Sequence, residues 1–582
     1  MKTKKTVLVT LNSKYIHSSL ALRSLKAYCK DSYADIAILE FTINDPIDKV
    51  VSALAAQHPD LLCFSCYIWN IRMTLDVIDT IKKILPDCRV LLGGPEVSYD
   101  SEEMMVQNSF IDYIVVGEGE ETFREFLDCL HGRGSISDVK GLVWRKDGNI
   151  IKNPSREPIL LYSIPFAYSD GLTGLDDRII YYESSRGCPY RCQYCLSSIT
   201  GPVRFLSIER VKEELAYFVK SGVKQVKFVD RTFNCNPGRA KEIFRYLINL
   251  NGSTNFHFEM AGDLIDNEMM DILAQAPPGM FQFEIGVQST AEATLTAISR
   301  KTDISGIEKA VRKLVNNDNI HIHLDLIAGL PEEDINSMAC SINRVLGMSP
   351  HRLQLGFLKM LKGSGLRNAA SIYAYSYTSY PPYEVLSNHV LSYNDIARLK
   401  QIEELVELYY NSHCFDRSLE YLIQQREGDY YGIFDSMAEY WDKNGYFRYS
   451  HSNIRLYEHL LEYAESFEDI DMRLFKELLR FDYAMKEKPG RYPKGIEPVE
   501  DKALYRHMQD VLMKDEALVK QLKGCEGYTP KQILRRLHLE VFNYRMDLNG
   551  SDAYAEGRTA AVFNYMNRRG VLKRPQILHF TI

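Results

Sequence analysis

The stretch SSRGCPYRCQYCLSS, residues 184–198, places three cysteines in the spacing C-x3-C-x2-C, at Cys188, Cys192 and Cys195. The predicted strand YYESSRG leads directly into it. Three thiolates on one tight loop can hold three corners of a cubane iron–sulfur cluster, which leaves the fourth iron open to a chelating substrate. A structural zinc ion usually takes a fourth Cys or His nearby, and none follows within this loop. Zinc, or a chance grouping of structural cysteines, is the alternative.

Strands and helices alternate around this loop from Ile179 to about Lys362. The predicted strands are YYESSRG, VKQVKFVD, FHFEMAG, FQFEIGVQS, IHIHLDLIAG and LQLGFLKML. Six strands with helices between them predict a partial (β/α)6 barrel of the TIM type. Active sites in that architecture lie at the carboxyl ends of the strands, where the cysteine loop also begins.

The first part of the chain, from Thr6 to about Leu130, alternates short apolar runs with amphipathic stretches. This pattern predicts βαβ units and a doubly wound, Rossmann-like parallel sheet. In such open sheets, ligands bind in the loops at the carboxyl ends of the strands. Those loops are Asn12–His17, Ser65–Asn70, Gly93–Glu96 and Gly117–Glu120.

Four segments follow from these patterns. We expect a Rossmann-like domain at 1–135, a linker at 136–175, the barrel at 176–368 and a mostly α-helical C-terminal domain at 369–582. The linker is rich in Gly, Pro, Ser and Asp, which indicates a hairpin and an extended connector. The C-terminal segment consists of long Tyr- and Leu-rich amphipathic stretches, which predict helices that could cap the barrel mouth.

The composition is that of a globular protein with several domains. The chain has 582 residues, of which 45% are apolar and 25% charged, and its net charge is −7. It contains no run of roughly 18 uncharged apolar residues, and its first apolar run is too short for a signal peptide, so we expect a cytoplasmic protein without membrane contact. The twelve cysteines are expected to be reduced thiols there.

The cysteine spacing resembles the signature of the radical S-adenosylmethionine (SAM) superfamily. Tyr194 stands where that family has an aromatic residue beside its last cysteine. The resemblance implies a [4Fe–4S] cluster on the three cysteines and cleavage of SAM to methionine and a 5′-deoxyadenosyl radical. It also implies a flavodoxin or ferredoxin as the electron donor.

The polar residues at the later strand ends resemble the SAM-contacting pattern of the branch that includes the coproporphyrinogen oxidase type. By that resemblance, Asp230 lies beside the methionine amino group, and Arg300 binds the SAM carboxylate as a bidentate partner. Glu259, Gln288 and Asp325 would contact the ribose, amino or carboxylate groups, and the LIAGLP turn would lie near the adenine. Each residue could instead be structural, and Asp230 could be a plain strand-end cap.

A doubly wound domain before such a barrel resembles the cobalamin-dependent radical SAM enzymes, in which it presents the corrin to the cluster. Glycines are needed where the backbone passes close to a bulky cofactor. The cobalamin contacts that the resemblance implies are Asn12, His17, Ser65, Gly93, Gly94, Pro95, Glu96, Gly117, Glu118, Gly119 and Glu120. The D-x-H-x-x-G loop of other cobalamin enzymes is absent. His17 is the nearest candidate for the lower cobalt ligand, with a helix-start role as its alternative, and GEGEE could be an ordinary acidic helix start.

The resemblance implies a methyltransferase that acts on an unactivated carbon, with no residue singled out as catalytic. One alternative is a radical SAM oxidoreductase or rearrangement enzyme without methyl transfer. Another is a tRNA- or rRNA-modifying or RNA-binding protein guided by the basic segments KQILRRLHLEVFNYR and NRRGVLKRP. The acidic net charge and the lack of a recognisable RNA module favour a small-molecule substrate.

Overall fold

The computed structural model describes residues 5–199, 201–498, 502–514, 521–546 and 554–581. Within these ranges the chain forms an N-terminal α/β sheet, a parallel barrel-like sheet and a C-terminal region of helices with a small sheet. None of the helices in these ranges combines the length and the apolar content that crossing a membrane requires.

The N-terminal sheet has apolar cores on both faces. Its strands are β1 (Thr6–Asn12), β2 (Ile36–Thr42), β3 (Leu61–Ser65), β4 (Arg89–Gly93), β5 (Tyr113–Val115), β6 (Leu142–Lys146) and β7 (Asn149–Lys152). Its helices are α1 (Leu20–Cys29), α2 (Ile47–Ala55), α3 (Ile71–Ile84), α4 (Pro95–Ser98), α5 (Ser101–Gln107) and α6 (Glu120–Leu130). Val7 and Val9 share a core with α2 and α3, whereas Leu8 shares the opposite core with α1 and α6. The predicted doubly wound sheet is confirmed.

The order of this sheet is β2-β1-β3-β4-β5-β6-β7, and β1 to β5 run parallel. The last two strands form a hairpin that lies within the segment predicted as a linker. Because β6 pairs antiparallel with β5, this hairpin extends the first sheet. The chain then runs with little regular structure from Asn153 to Ile179, where the barrel begins.

The central sheet is a partial barrel. Its region contains the strands β8 (Ile180–Tyr182), β9 (Ser185–Arg186), β10 (Arg204–Phe205), β11 (Gln225–Phe228), β12 (Asn255–Met260), β13 (Phe281–Gln288), β14 (Ile320–Ala328) and β15 (Arg352–Phe357). Its helices are α7 (Ile208–Lys220), α8 (Pro237–Asn249), α9 (Asn267–Leu273), α10 (Glu292–Ala297), α11 (Ile304–Asn316) and α12 (Ile335–Leu346). Six strands run parallel in the order β15-β14-β13-β12-β11-β8, which confirms the predicted (β/α)6 barrel.

The barrel strands form because their apolar residues recur every second position. In β14, buried and half-buried residues alternate along the whole strand. Ile322 and Leu324 belong to the apolar core, whereas His321, His323 and Asp325 are half-buried on the opposite face. Successive side chains of a strand point to opposite faces, so this pattern leaves one polar face inside the barrel.

The C-terminal region is mostly helical, as predicted, and ends in a sheet that was not predicted. Its elements are α13 (Gly365–Asn368), β16 (Ser376–Tyr377), β17 (Val385–Ser387), α14 (Tyr393–Leu405), α15 (Asp416–Gln424), α16 (Tyr430–Lys443), α17 (Asn453–Ala464), α18 (Met472–Lys486), α19 (Lys502–Lys514), α20 (Pro530–Arg536), β18 (Leu537–Tyr544), β19 (Glu556–Arg569) and β20 (Arg574–Thr581). The last three strands pair antiparallel. Phe481 of α18 and Phe542 of β18 belong to the same apolar core as Ile180, so the region is continuous with the barrel.

The helices also contact the open edge of the barrel. The π-helical turn Val406–Tyr410 continues α14 and is followed by Asn411. The Asn411 side chain donates a hydrogen bond to the Leu353 carbonyl (2.8 Å) and accepts one from the Leu353 amide (3.0 Å). Leu353 lies in β15, the last strand of the sheet, so this side chain satisfies backbone groups that an edge strand leaves unpaired.

Candidate active site

The cysteine loop is closed at its base by a short hairpin. β9 and β10 pair antiparallel, with Arg186 opposite Arg204. Gly187 between the hairpin and the cysteines has φ +107°, and a Cβ there would lie 2.9 Å from the Pro202 carbonyl oxygen. Only glycine fits this close approach, so the hairpin fixes where the cysteines begin.

The three predicted cysteines share this loop with different exposure. Cys192 is buried, whereas Cys188 and Cys195 are half-buried. Burial raises the pKa of the Cys188 thiol. Among the residues that the structure describes, no three His, Cys, Asp or Glu side chains are arranged to hold a single metal ion. A cubane spreads its iron atoms over separate corners, so three thiolates on one loop fit it without converging on one point.

Arg300 joins the cysteine loop to the end of β13. Its Nη1 atom donates to the Tyr194 hydroxyl (3.2 Å) and to the Cys192 sulfur (3.7 Å). Its Nη2 atom donates to the Gly286 carbonyl. The structure thus brings together the predicted arginine, the predicted aromatic residue and a predicted cluster ligand.

Three of the predicted SAM contacts have buried polar atoms without a partner in the described chain: Gln288 Oε1, Arg300 Nε and Asp325 Oδ1. Gln288 has φ +71° and follows a register shift between Gly286 and Gln288. A buried polar atom without a hydrogen bond costs about 1–3 kcal/mol, so such atoms commonly mark a ligand or a bound water. These two acceptors and one donor, carried by β13, β14 and the segment after α10, fit a ligand with amino, hydroxyl and carboxylate groups, as SAM has.

Carboxyl groups of different charge line the barrel beside these atoms. Burial raises the pKa of Glu259 to about 7. Burial, together with the charges of Glu284 and Glu259, raises the pKa of Asp325 well above its usual range. Glu284 behaves oppositely: although burial opposes it, the hydrogen bond with His257 (3.0 Å) and the charge of Lys227 lower its pKa to about 2. Protonated and ionised carboxyl groups therefore coexist at neutral pH.

Asp230 is occupied by neighbouring serines. Its carboxylate accepts hydrogen bonds from the Ser184 amide (2.8 Å) and hydroxyl (2.6 Å) and from the Ser185 amide (3.2 Å) and hydroxyl (2.9 Å). Burial raises its pKa to about 6. Both oxygens are used within the protein, so Asp230 holds the chain just before the cysteines, and its geometry fits the strand-end cap more closely than an open SAM contact.

A cavity of ≈ 780 Å³ lies between the N-terminal sheet and the barrel. All four predicted loops of the sheet contribute to its wall, and so do Tyr181, Arg186 and Leu196 of the barrel and the cysteine loop. Ten predicted cobalamin contacts line it: Asn12, His17, Ser65, Gly93, Gly94, Pro95, Gly117, Glu118, Gly119 and Glu120. The stacked rings of Tyr67 and Trp69, with centroids 4.4 Å apart, also face it.

Two residues of the wall define its shape and its hydrogen-bonding capacity. Gly94 has φ +112°, and a Cβ there would lie 2.5 Å from the Cys66 carbonyl oxygen. Ser65 has a buried hydroxyl without a partner in the described chain. The glycine lets the loop after β4 pack against the loop after β3, and the unsatisfied Ser65 hydroxyl between these loops fits a hydrogen bond to the nucleotide tail of cobalamin.

His17 faces this cavity as a neutral imidazole. Its Nδ1 atom is 2.7 Å from the Tyr181 hydroxyl. Burial and the nearby charge of Lys227 lower its pKa. The hydrogen bond fixes the ring orientation, and Nε2 makes no hydrogen bond to the described residues.

The two acidic residues of the GEGE loop are paired with arginines of the cysteine hairpin. Glu120 accepts from Arg186 (2.8 Å), which also pairs with Glu183 (2.8 Å). Glu118 pairs with Arg204, and although burial opposes it, that hydrogen bond lowers the pKa of Glu118. These ion pairs therefore link the N-terminal sheet to the base of the cysteine loop.

Glu96 does not line the cavity and makes a different contact. It is 5% exposed, accepts a hydrogen bond from the Tyr383 hydroxyl, and lies 3.8 Å from the Lys362 ammonium. Pro95 before it and Ser98 after it line the cavity, whereas the Glu96 side chain turns away from it. The prediction of Glu96 as a cobalamin contact therefore changes to an anchor of the loop that forms the wall.

Models of known protein families match three consecutive parts of the chain. Residues 6–127 match the B12 binding domain, and residues 182–342 match the Radical SAM superfamily. Residues 371–563 match DUF4080, a protein of unknown function. The B12 binding domain match lies in the N-terminal sheet, and the Radical SAM match lies in the barrel.

Curated relatives extend across these parts. The cobalamin-dependent radical SAM methyltransferase TokK of Streptomyces tokunonensis is 24% identical over 478 residues, which is 75% of this chain and 70% of that protein. The 2-(S-pantetheinyl)-carbapenam-3-carboxylate methyltransferase of Streptantibioticus cattleyicolor is 26% identical over 440 residues, 67% of this chain and 62% of that protein. A B12 binding domain followed by a Radical SAM domain, with relatives named as methyltransferases of this type, supports the cobalamin-dependent radical SAM family.

A solved structure of this family supports the fold. The cobalamin-dependent SAM radical enzyme OxsB, with aqua-cobalamin and SAM bound, matches 83% of this chain and 84% of its own with a TM-score of 0.57 and 13% identity. The three cofactors predicted for this radical SAM enzyme, a [4Fe–4S] cluster, SAM and cobalamin, are confirmed. The main functional prediction fits these relatives better than the RNA-binding alternative.

Several functional contacts of this radical SAM enzyme were not predicted. Arg186 and Arg204 pair with the GEGE loop, and Tyr383 anchors Glu96. Arg186 stands two residues before the first cysteine, and this position could have indicated a residue of the site. Tyr383 lies 287 residues from its partner and carried no signal in the sequence.

Proposed function

We propose that this protein is a cobalamin-dependent radical SAM methyltransferase that acts on an unactivated carbon of a small molecule. The cavity of ≈ 780 Å³ carries the proposal, because one space is bounded both by the strand-end loops of the N-terminal sheet and by the cysteine loop. A corrinoid held by those strand ends would face the cluster. Two relatives whose names state methyl transfer support the reaction type.

The cofactors divide the chemistry between them. When bound, the reduced cluster and SAM supply a 5′-deoxyadenosyl radical, and cobalamin carries the methyl group. Cys188, Cys192 and Cys195 would hold the cluster and leave one iron for SAM. The C-terminal helices would cover the barrel mouth and exclude water from the radical.

The residues at the barrel mouth would orient SAM. Arg300 already contacts Tyr194 and Cys192, so a carboxylate bound to its guanidinium would lie beside the cluster. The unpartnered oxygens of Gln288 and Asp325 would accept from the amino or ribose groups. Glu259, whose pKa is raised to about 7, would add a nearby hydroxyl contact, and Asp230 would position the cysteine loop rather than touch SAM.

The strand-end loops of the N-terminal sheet would hold cobalamin. Gly93, Gly94 and Pro95 would pass beside its nucleotide tail, and the free hydroxyl of Ser65 would donate to it. His17 remains the candidate for the lower cobalt ligand, because its ring is neutral, oriented by Tyr181 and set in the cavity wall.

A one-electron reductant is required, and we propose a flavodoxin or ferredoxin for that role. We also propose a reducing compartment such as the cytoplasm, in which the cysteines outside the cluster would remain thiols. The substrate is proposed to be a small molecule, since the net charge of −7 gives no attraction to a phosphate backbone.

The test is anaerobic reconstitution with iron, sulfide and hydroxocobalamin, followed by metal analysis. Wild type should bind about four irons, as a [4Fe–4S] cluster requires, and one cobalt. Cys192→Ala should lose the iron, whereas Cys340→Ala, which removes an exposed cysteine on α12, should keep it. Iron without cobalt in the wild type would contradict the cobalamin part, and absence of iron would contradict the whole proposal.

Product analysis separates methyl transfer from other radical chemistry. A methyltransferase of this kind forms S-adenosylhomocysteine as well as 5′-deoxyadenosine. Turnover that forms 5′-deoxyadenosine alone would favour an oxidoreductase or a rearrangement enzyme instead.

A further inference from the structure

The segment Tyr373–Asn388, YAYSYTSYPPYEVLSN, connects parts of the protein that lie far apart in the sequence. We name it the tyrosine strap. It contains β16 and β17 and belongs to the part of the chain that matches the family of unknown function. Its side chains contact both the barrel mouth and the N-terminal sheet.

At the barrel mouth, the strap holds the turn after β14. The Tyr375 hydroxyl donates to the Gly329 carbonyl (2.8 Å), and the Asn388 amide donates to the Gly329 and Leu330 carbonyls (3.3 Å each). Gly329 has φ +90°, and a Cβ there would lie 2.5 Å from Val385 of the strap. This turn directly continues the strand that carries the unpartnered Asp325 Oδ1, so the strap fixes one wall of the SAM site.

At the N-terminal sheet, the strap holds the loop after β4. The Tyr383 hydroxyl donates to Glu96, and the two side chains are buried, with residue exposures of 4% and 5%. Glu96 directly follows Gly93–Pro95 in the wall of the large cavity. A second contact places the Arg72 guanidinium over the Tyr380 ring, 5.2 Å from its centroid.

The strap is itself pinned between these two contacts. The Met360 amide donates to the Tyr383 carbonyl (2.9 Å), and the Val385 amide donates to the Leu358 carbonyl (2.9 Å). Both partners lie just after β15, so the strap is fixed to the barrel next to the residue that anchors Glu96. A shift of either loop must therefore move the same short element.

We propose that the tyrosine strap couples the SAM site to the cobalamin site, so that each cofactor increases the affinity for the other. The inference rests on the proposed function for the identity of the two ligands. A ligand that orders either the turn after β14 or the loop after β4 also orders the strap. The second ligand then binds at a smaller cost in conformational entropy, because the strap is already ordered. Tyr375 and Tyr383 are positioning residues, since Tyr375 acts through the turn at Gly329 and Tyr383 acts through Glu96.

Cobalamin affinity measured with and without SAM tests the coupling. Hydroxocobalamin is titrated by absorbance into the full-length, anaerobically reconstituted protein. In wild type, saturating SAM should tighten cobalamin binding by about tenfold, within the range typical of linked sites. In Tyr375→Phe and Tyr383→Phe the effect of SAM should fall to about twofold or less. Tyr380→Phe, which removes an exposed hydroxyl from the same strap and keeps its ring over Arg72, should behave as wild type.

The informative measurement is the effect of each variant on the distant ligand. Tyr375→Phe removes the hydroxyl bond to the turn at Gly329, on the SAM side, yet it should weaken cobalamin binding in the presence of SAM. Glu96→Gln keeps an acceptor for Tyr383 and should retain the coupling, whereas Glu96→Ala should lose it. The two Glu96 variants also keep the test decisive if Tyr383→Phe does not fold.

Two results would overturn the coupling. One is an equal effect of SAM in wild type and all variants, and the other is a change confined to the ligand on the side of each substitution. Failure of wild type to bind cobalamin at all would overturn the proposed function and the coupling with it. Binding of both cofactors without mutual effect would overturn the strap alone.

Discussion

Three glycines in the wall of the large cavity allow a graded test of how far cobalamin binding depends on the backbone geometry of that wall. Gly94 has φ +112°, and a Cβ there would lie 2.5 Å from the Cys66 carbonyl oxygen. Gly117 has φ +80° with no atom within 4 Å of such a Cβ. Gly119 has φ −95°, and its Cβ would make an ordinary contact at 3.4 Å with Leu25. Alanine therefore adds backbone strain and a collision at Gly94, backbone strain alone at Gly117, and neither at Gly119.

The magnitudes follow from these geometries. A non-glycine residue in the conformation of Gly94 costs about 2–3 kcal/mol, and one in the left-handed region of Gly117 costs about 1–2 kcal/mol. Without ligand, the mutated loop can relax, and binding must restore the strained conformation. Since about 1.4 kcal/mol is a factor of ten, Gly94→Ala should weaken cobalamin binding by about 30- to 150-fold and Gly117→Ala by about 5- to 25-fold. Gly119→Ala should stay within about twofold of wild type.

The assay is an absorbance titration of hydroxocobalamin into each reconstituted variant, with iron content as the control for an intact cysteine loop. Every variant should keep its iron, because the glycines lie in the N-terminal sheet and the cluster is held by the barrel. Wild-type affinity in Gly94→Ala would refute the reasoning. Equal loss in Gly94→Ala and Gly119→Ala would also refute it, since the effect would then not depend on backbone geometry.

Three further outcomes are expected. Arg300→Lys keeps the charge but cannot contact Tyr194, Cys192 and Gly286 together, so SAM affinity measured by equilibrium dialysis should fall by about tenfold; an unchanged affinity would exclude bidentate binding. Glu259 has its folded pKa raised from 4.5 to about 7, so its contribution to stability is complete below about pH 4.5 and is lost as the pH rises through 7. The melting temperature of Glu259→Gln should therefore fall less than that of wild type between pH 5 and 8, and parallel curves would contradict the assignment. Arg186→Met leaves Glu120 and Glu183 without their partner at a largely buried site and should lower stability by about 2–4 kcal/mol, measured as a lower melting temperature; Arg124→Met on α6, an exposed pair, is the control and should change little.

The sequence predicted those features that depend on local periodicity. The run IHIHLDLIA alternates apolar and polar residues, and it forms β14 with the same alternation of burial. Strand ends of a parallel sheet meet at one edge, so Arg300 could be expected beside Tyr194 although they are 106 residues apart. The resemblance supplied the cofactors, and the four strand-end loops supplied the ten of eleven predicted cobalamin contacts that line the cavity.

Contacts set by tertiary packing could not be predicted in this way. Whether Asp230 is open or occupied depends on the serines at the end of a neighbouring strand, and no local pattern reports that pairing. Glu96 belongs to a glycine-rich loop, but its side chain turns away to Tyr383 because the first residues of the C-terminal region pass behind that loop. The final sheet was missed because strands β18 to β20 contain many charged residues that resemble a basic tail.

The Asn411 amide that pairs with Leu353 determines where the protein can be shortened. A chain ended before α14 would keep all six barrel strands but would leave the outer backbone of β15 without its side-chain partner. Unpaired strand edges recruit other strands, so such a fragment should associate edge to edge between copies. Truncations intended to isolate the barrel should therefore retain α14 and the turn through Asn411.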